Sequence, residues 1–215
     1  MNSKTFVVIK DALDLIKENS KEKFDASIEV HLKLGIDPKK GEQQVRGSVS
    51  LPHGTGKDIK VAIFTQDIAG VKKEVDGIDG ILVCGEDFIS EIKKTSKLNF
   101  DVAVSTPDMM PKLAQIAKIL GPRGIMPSPK SGTVTSNVSK VAKELQAGKI
   151  TFKNDDTANL HTIIGKKSFD TVKLVENFEA LLSEINRIKP TGARGTYLKG
   201  AFVSSTMGKS IAVSI

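Results

Sequence analysis

Three short, nearly continuous apolar runs, DIKVAIF (58–64), GILVC (80–84) and FDVAVS (100–105), leave this chain few architectures to choose from. Between and after them lie IAGVKKEV (68–75), EDFISEIKKTSK (86–97), DMMPKLAQIAKIL (108–120) and NVSKVAKELQ (137–146), whose apolar positions recur at helical spacing. Strands that are apolar on both faces and alternate with helices predict βαβ units and a parallel sheet covered on both sides. A compact α/β domain is therefore expected over residues 58–147.

The flanks have a different period. In FDASIEVHLKL (24–34), Phe24, Ala26, Ile28, Val30, Leu32 and Leu34 fall on one side, and Asp25, Ser27, Glu29, His31 and Lys33 on the other. VRGSVSL (45–51) repeats the pattern with Arg46, Ser48 and Ser50 outward. Such strands belong to an antiparallel sheet with one face in water. Strand candidates KITFKN (149–154) and ANLHTII (158–164) follow, then the amphipathic TVKLVENFEALLSEINRI (171–188), then TYLKGAFVSS (196–205) and SIAVSI (210–215). A helix, VVIKDALDLIKE (7–18), opens the chain. The first flank alone is too short for a robust core. Both flanks, 1–57 and 148–215, are expected to form one discontinuous α+β domain into which the α/β domain is inserted. The crossings fall at HGTGKD (53–58) and around QAGK (146–149), both glycine-bearing.

The charge is +7 and the pI about 9.4, which favours an acidic partner: nucleic acid or, less often, an anionic membrane surface. Residues 57–147 hold 13 Lys and Arg against 11 Asp and Glu, leaving 19 against 14 of the chain's 32 and 25 in the flanks. Most of the basic excess thus lies on the flank domain. Aromatic residues make up 5% of the chain, with no tryptophan, which argues against a platform of several exposed stacking rings. No apolar run approaches the roughly 18 residues of a membrane span. The start, MNSKTFVVIK, lacks the pattern of a signal peptide. One cysteine, Cys84, excludes an internal disulfide and points to a reducing compartment, so a cytoplasmic location is expected.

Catalytic constellations fail on their spacing. HGTGKD has Leu51 where a phosphate-binding loop needs its first glycine, and Asp58 where it needs a hydroxyl. MGKS (207–210) keeps its hydroxyl but has Val203 at the glycine position, and only five residues follow, too few for the helix that cradles a phosphate. Cys84 has no histidine within its own domain and reads as a small buried strand residue. His31, His53 and His161 show no metal-ligand spacing. No catalytic residue, metal or cofactor is expected. A nucleotide-binding α/β enzyme is the alternative, prompted by the parallel sheet and the two Gly-Lys pairs.

The outward face of residues 24–34, with Glu29, His31 and Lys33, has an ordinary reading as a solvated face. Against it stand Lys23 and Phe24 at the strand start, Arg46 on the second alternating strand, and Lys166, Lys167 and Ser168 downstream. SSTMG (204–208) adds small hydroxyls and a glycine that admits close backbone approach. If these residues converge, they make a basic, hydroxyl-bearing surface suited to RNA phosphates and 2′-hydroxyls. Periodicity alone does not decide whether they do.

LGPRGIMPSPKSGTV (120–134), FDASIEVHLKLGIDPKK with QQVRGSVSLPHGTGK, and the closing SSTMG together resemble the family of bacterial large-subunit ribosomal protein L-one. The likeness covers nearly the whole chain. Two departures stand out: the chain begins almost directly at its first helix, and Lys209 follows the TMG turn where many relatives carry proline or a small residue. The resemblance implies a discontinuous RNA-binding domain and an inserted Rossmann-like three-layer α/β domain. It also implies binding to large-subunit ribosomal RNA to form a mobile stalk on the large ribosomal subunit, and help in releasing deacylated exit-site tRNA. Repression of the own-operon messenger RNA and a monomeric state when free of the ribosome follow too, with no membrane partner. Carried over by motif, the RNA contacts are Lys23, Phe24, Ser27, Glu29 and Lys33, then Lys166, Lys167 and Ser168, then Ser204, Thr206, Met207 and Gly208. The stretch 120–134, with Pro122, Pro127 and Pro129, is expected to be a rigid surface loop inside the middle domain.

Overall fold

A computed structural model describes residues 7–75, 78–95, 97–193 and 195–214. The first six residues, Ser96 and Ile215, on which parts of the expectations above fall, lie outside them. The chain runs α1 (Ile9–Asn19), β1 (Ser27–Leu34), β2 (Arg46–Ser50), β3 (Val61–Phe64), α2 (Ile68–Glu74), β4 (Ile81–Cys84), α3 (Glu86–Thr95) and β5 (Val102–Ser105). It continues with α4 (Met110–Leu113), α5 (Ala117–Leu120), α6 (Val138–Gln146), β6 (Lys149–Lys153), β7 (Asn159–Lys166), α7 (Thr171–Arg187), β8 (Leu198–Ser205) and β9 (Ile211–Val213). By contact these elements divide into two compact units, Met1–Gly56 with Ile150–Ile215, and Lys57–Lys149.

In the first unit β1 pairs antiparallel with β7 on one side and β8 on the other, and β9 adds to β8. The strict alternation of β1 explains the arrangement. Ile28, Val30, Leu32 and Leu34 are fully buried, whereas Ser27, Glu29, His31 and Lys33 share the opposite face. Each such buried side chain contributes about 1.5–3 kcal/mol of hydrophobic stabilisation relative to exposure. Helix α7 covers the core side through Leu174, Phe178, Leu181 and Ile185, and Ala12, Leu13 and Ile16 of α1 join the same cluster. The remaining inward position of α7 is polar. Asn177 is fully buried, donates to the carbonyls of Gly54 (3.0 Å) and Ile164 (2.7 Å), and accepts from the His53 amide (3.1 Å). Strands β2 and β6 form their own two-stranded sheet.

In the second unit β4, β3 and β5 lie in that order and are parallel throughout. Ala62 and Phe64 of the central strand enter an apolar cluster with Ile89, Phe100, Leu113 and Ile116, whereas Val61 and Ile63 enter another with Val104, Val138 and Leu145. Because alternate residues of a strand face opposite sides, the sheet carries helices on both faces.

Residues 108–120, expected as one helix, differ. Short α segments α4 and α5 alternate there with 3-10 turns at Pro107–Met109 and Ala114–Ile116. Pro107 and Pro111 donate no backbone hydrogen bond, and Ile116 at φ −107° and ψ 10° leaves helical values. Met109, Leu113, Ile116 and Leu120 still share the buried side, so the apolar spacing holds while the hydrogen-bond pattern changes. The loop beyond is pinned at several points. Ile125 and Met126 pack onto the core, Thr133 Oγ1 accepts from the Ser128 amide at 2.9 Å, and Val134 bridges to Ser105. Its turn at Gly132 has φ +69°, a left-handed value that glycine adopts without strain.

Candidate nucleic-acid interface

Three segments distant in sequence meet at one end of the four-stranded sheet: 20–27 leading into β1, 166–168 leaving β7, and 204–208 leaving β8. The first two are laced together. Lys166 Nζ donates to Ser27 Oγ (3.1 Å) and to the Asp25 carbonyl (3.3 Å). The Lys167 amide reaches the Ala26 carbonyl at 2.8 Å, and Lys167 Nζ the Ser20 carbonyl at 2.9 Å. Ser168 donates to the Asp25 carboxylate through its amide (3.0 Å) and its hydroxyl (2.9 Å).

The third segment closes against the other edge of β1. The Thr206 amide donates to the Ser27 carbonyl at 3.1 Å, and Thr206 Oγ1 accepts from the Ser27 amide at 3.1 Å. Gly208 donates through its amide to the Ser205 carbonyl at 3.1 Å. A Cβ at Gly208 would collide with the Ser205 hydroxyl as it stands, so a larger residue there would displace that hydroxyl. Two apolar side chains stand exposed beside this junction. Phe24 is 50% and Met207 77% exposed, and both line one groove with Leu15, Asn19, Lys209 and Ile211.

Along the wet face, His31 is the hub. Its Nδ1 lies 2.8 Å from Nδ1 of His161 on β7, and its Nε2 lies 3.1 Å from Ser204 Oγ on β8. Ser204 is only 8% exposed, so its hydroxyl is turned toward the imidazole. Glu29 stands 3.9 Å from His31 Nε2. Lys33 lies at the far end of the strand, where Nζ donates to the Thr157 carbonyl at 2.7 Å. Nearby, burial works against ionisation of Asp155, yet hydrogen bonds from Thr157 and Asn159 hold its carboxyl well below the usual carboxylate range.

The structure thus brings together Ser27, Lys166, Lys167, Ser168, Thr206, Met207 and Gly208, with Lys23 exposed beside Phe24. Glu29, His31 and Ser204 continue the same face. Arg46 stands apart from the expected convergence. It lies on β2, which pairs with β6 and not with β1, and its guanidinium donates to Gln44 Oε1 at 3.2 Å. His161, Asn159 and Asp25 belong to this surface by their contacts, although sequence reasoning did not single them out. The alternation in ANLHTII carried the signal for His161, since Leu160 and Ile164 are buried while His161 is exposed. The alternation of 24–34 likewise put Asp25 on the outward face, but not its contacts with Lys166 and Ser168.

Burial first, and the neighbouring His161 second, lower the pKa of His31. The unfolded chain therefore takes up this proton at a higher pH than the folded one. Stability from His31 is present above its ordinary value of 6.5 and is lost as pH falls from there toward the lowered value. The thermal midpoint should drop between about pH 7.5 and about pH 5.5 by more in the parent than in His31→Gln. Equal drops would remove His31 as the cause.

The sites dismissed from spacing are occupied otherwise. Lys57 Nζ pairs with Asp101 at 2.7 Å, and Ser210 is followed by strand β9. Burial raises the Cys84 thiol to about 11, away from nucleophile chemistry. Among the described residues, no helix is long and apolar enough to cross a membrane.

Residues 16–209 match the model of the ribosomal protein L1p/L10e family. The chain belongs to this family. Large ribosomal subunit protein uL1 of Corynebacterium glutamicum is 49% identical over 203 residues, covering 94% of this chain and 85% of the relative. The proteins of that name in Kitasatospora aureofaciens and Kosmotoga olearia are 49% and 47% identical, each over 94% of this chain and over 83% and 87% of their own length. Members of such a ribosomal family are structural proteins and not enzymes.

Proposed function

We infer that the chain is a structural component of the large ribosomal subunit in the cytoplasm that binds large-subunit ribosomal RNA to form the mobile stalk. The observation that carries this reading is the junction of segments 20–27, 166–168 and 204–208. Lysines, hydroxyls, free-standing apolar side chains and a close-packed glycine meet there, outside the core. Lysines neutralise phosphates, hydroxyls and amides address 2′-hydroxyls, and Phe24 and Met207 pack against sugars or unstacked bases. The grip belongs to a discontinuous domain, residues 1–57 and 148–215, with a Rossmann-like α/β domain, 58–147, inserted in it. The same surface binds a similar fold in the own-operon messenger RNA and represses its translation. The stalk so formed assists release of deacylated tRNA from the exit site. The protein is a monomer when free of the ribosome.

Equilibrium binding to the stalk fragment of large-subunit ribosomal RNA, across a salt series, tests this reading. Affinity should exceed that for random RNA of equal length. Lys33→Ala should weaken binding and reduce the log–log salt slope by about 0.9, one phosphate contact. A slope identical to the parent's would take Lys33 out of the interface. Equal affinity for both RNAs would reduce the protein to binding by charge alone.

A further inference from the structure

Glu22 is an anion placed where the proposed site should least tolerate one. Its carboxylate sits between the two segments that carry the exposed apolar pair. Oε2 accepts from the Ser20 hydroxyl, and Oε1 accepts from Ser205 Oγ at 2.7 Å. Ser20 and Glu22 precede Phe24 by four and two residues. Ser205 precedes Met207 by two and is itself only 2% exposed. All of these residues line the one groove that also holds Phe24 and Met207.

We propose that Glu22 is a positioning residue for RNA binding, a clasp whose carboxylate holds the 20–24 segment against the 204–208 turn and so presents Phe24 and Met207 in fixed relation. The inference rests on the RNA reading of this end of the sheet. The clasp joins chain positions 183 residues apart. The Gly208 turn packs directly on the Ser205 hydroxyl that serves it. Hydrogen bonds from Ser20 first and Ser205 second, with the Met207 amide adding to them, hold the carboxyl down at about 2, so it remains ionised wherever RNA is bound. Two exposed side chains on tethered backbone lose less conformational freedom on binding than two on loose loops, which raises affinity without any new contact. Lys166 and Lys167 secure the other side of the 20–27 segment, and Ser27 bonds Thr206 at its far end, so Glu22 is the side-chain tie that holds the 20–24 part toward β8.

The sign of one substitution separates the clasp from simple electrostatics. Glu22→Gln removes a negative charge beside a polyanion, so charge alone predicts tighter binding. The clasp predicts weaker binding, on the order of tenfold, because a charge-assisted acceptor for two hydroxyls is lost. Ser205→Ala changes no charge and should weaken binding similarly. The double variant should be no weaker than the worse single, since both break one device. The salt slope should match the parent's in all three, because no phosphate contact is removed. Hydrogen exchange of the Met207 amide should quicken in each variant. The probe is the stalk ribosomal RNA fragment with the full chain, and Met207→Asp is measured alongside. Unchanged or tighter binding by Glu22→Gln, or additive losses in the double variant, overturns the clasp. If Met207→Asp also binds like the parent, the RNA reading of this junction fails; if Met207→Asp is weak, only the clasp does. Should Glu22→Gln not fold, Ser205→Ala with its exchange readout decides the matter alone.

Discussion

Met207→Asp should reduce affinity for the stalk ribosomal RNA fragment by roughly 30-fold or more, equivalent to about 2 kcal/mol. Two effects act in the same direction. The thioether of Met207, 77% exposed at the tip of the turn after β8, is available to pack on an unstacked base or sugar. Full burial of a methionine side chain is worth about 1.5–3 kcal/mol. The aspartate also places a carboxylate beside the phosphates of the proposed RNA site. The fold should not notice, because surface substitutions of this sort usually stay within about 0.5 kcal/mol. The comparison is therefore clean: equilibrium binding falls while the thermal midpoint stays. Affinity within about twofold of the parent would show that the turn does not face RNA.

Asn177→Leu is expected to destabilise the first unit by about 3–5 kcal/mol, even though leucine suits the apolar stripe of α7. The asparagine is fully buried and satisfies the Gly54 and Ile164 carbonyls and the His53 amide. The Ile164 carbonyl bond is buried and those to Gly54 and His53 are partly so. A buried backbone group left without a partner costs about 1–3 kcal/mol, and the three losses together outweigh the gain from one more buried aliphatic side chain. Urea denaturation followed by circular dichroism measures the loss. A variant within about 1 kcal/mol of the parent would mean that the loop at 53–54 re-pairs with water, and that Asn177 is no structural tie.

How far the site could be read from sequence depends on the residue. The period-two pattern of 24–34 already separated Ile28, Val30, Leu32 and Leu34 from Ser27, Glu29, His31 and Lys33, because side chains on a strand alternate by geometry. The same rule applied to ANLHTII exposes His161. It could not say that His161 stands 2.8 Å from His31, since register between strands 130 residues apart is a tertiary matter. Arg46 shows the converse: its outward position was legible, but its membership of a different sheet was not. Residues 108–120 kept their apolar spacing and lost the continuous helix: a 3-10 turn at Ala114–Ile116, with Ile116 away from helical φ and ψ, breaks a hydrogen-bond pattern that hydrophobic spacing does not record.

Local chemistry alone therefore determined which residues are inward and outward, where the period-two flanks give way to apolar runs alternating with helical spacing, and that phosphate cradles and metal clusters lack the spacing they need. These are properties of neighbouring residues, and chain connectivity carries them. Tertiary structure alone decided which strands are neighbours, that Asn177 is buried as a tie, and that Glu22, Ser205, Asp25 and Lys166 meet around Phe24 and Met207. The ties from Asn177 to residues 53–54, from Glu22 to Ser205 and from Lys166 to Asp25 join positions more than a hundred residues apart, and no short-range pattern records them. They exist only once burial of the core has brought the ends of β1, β7 and β8 to the same edge of one sheet.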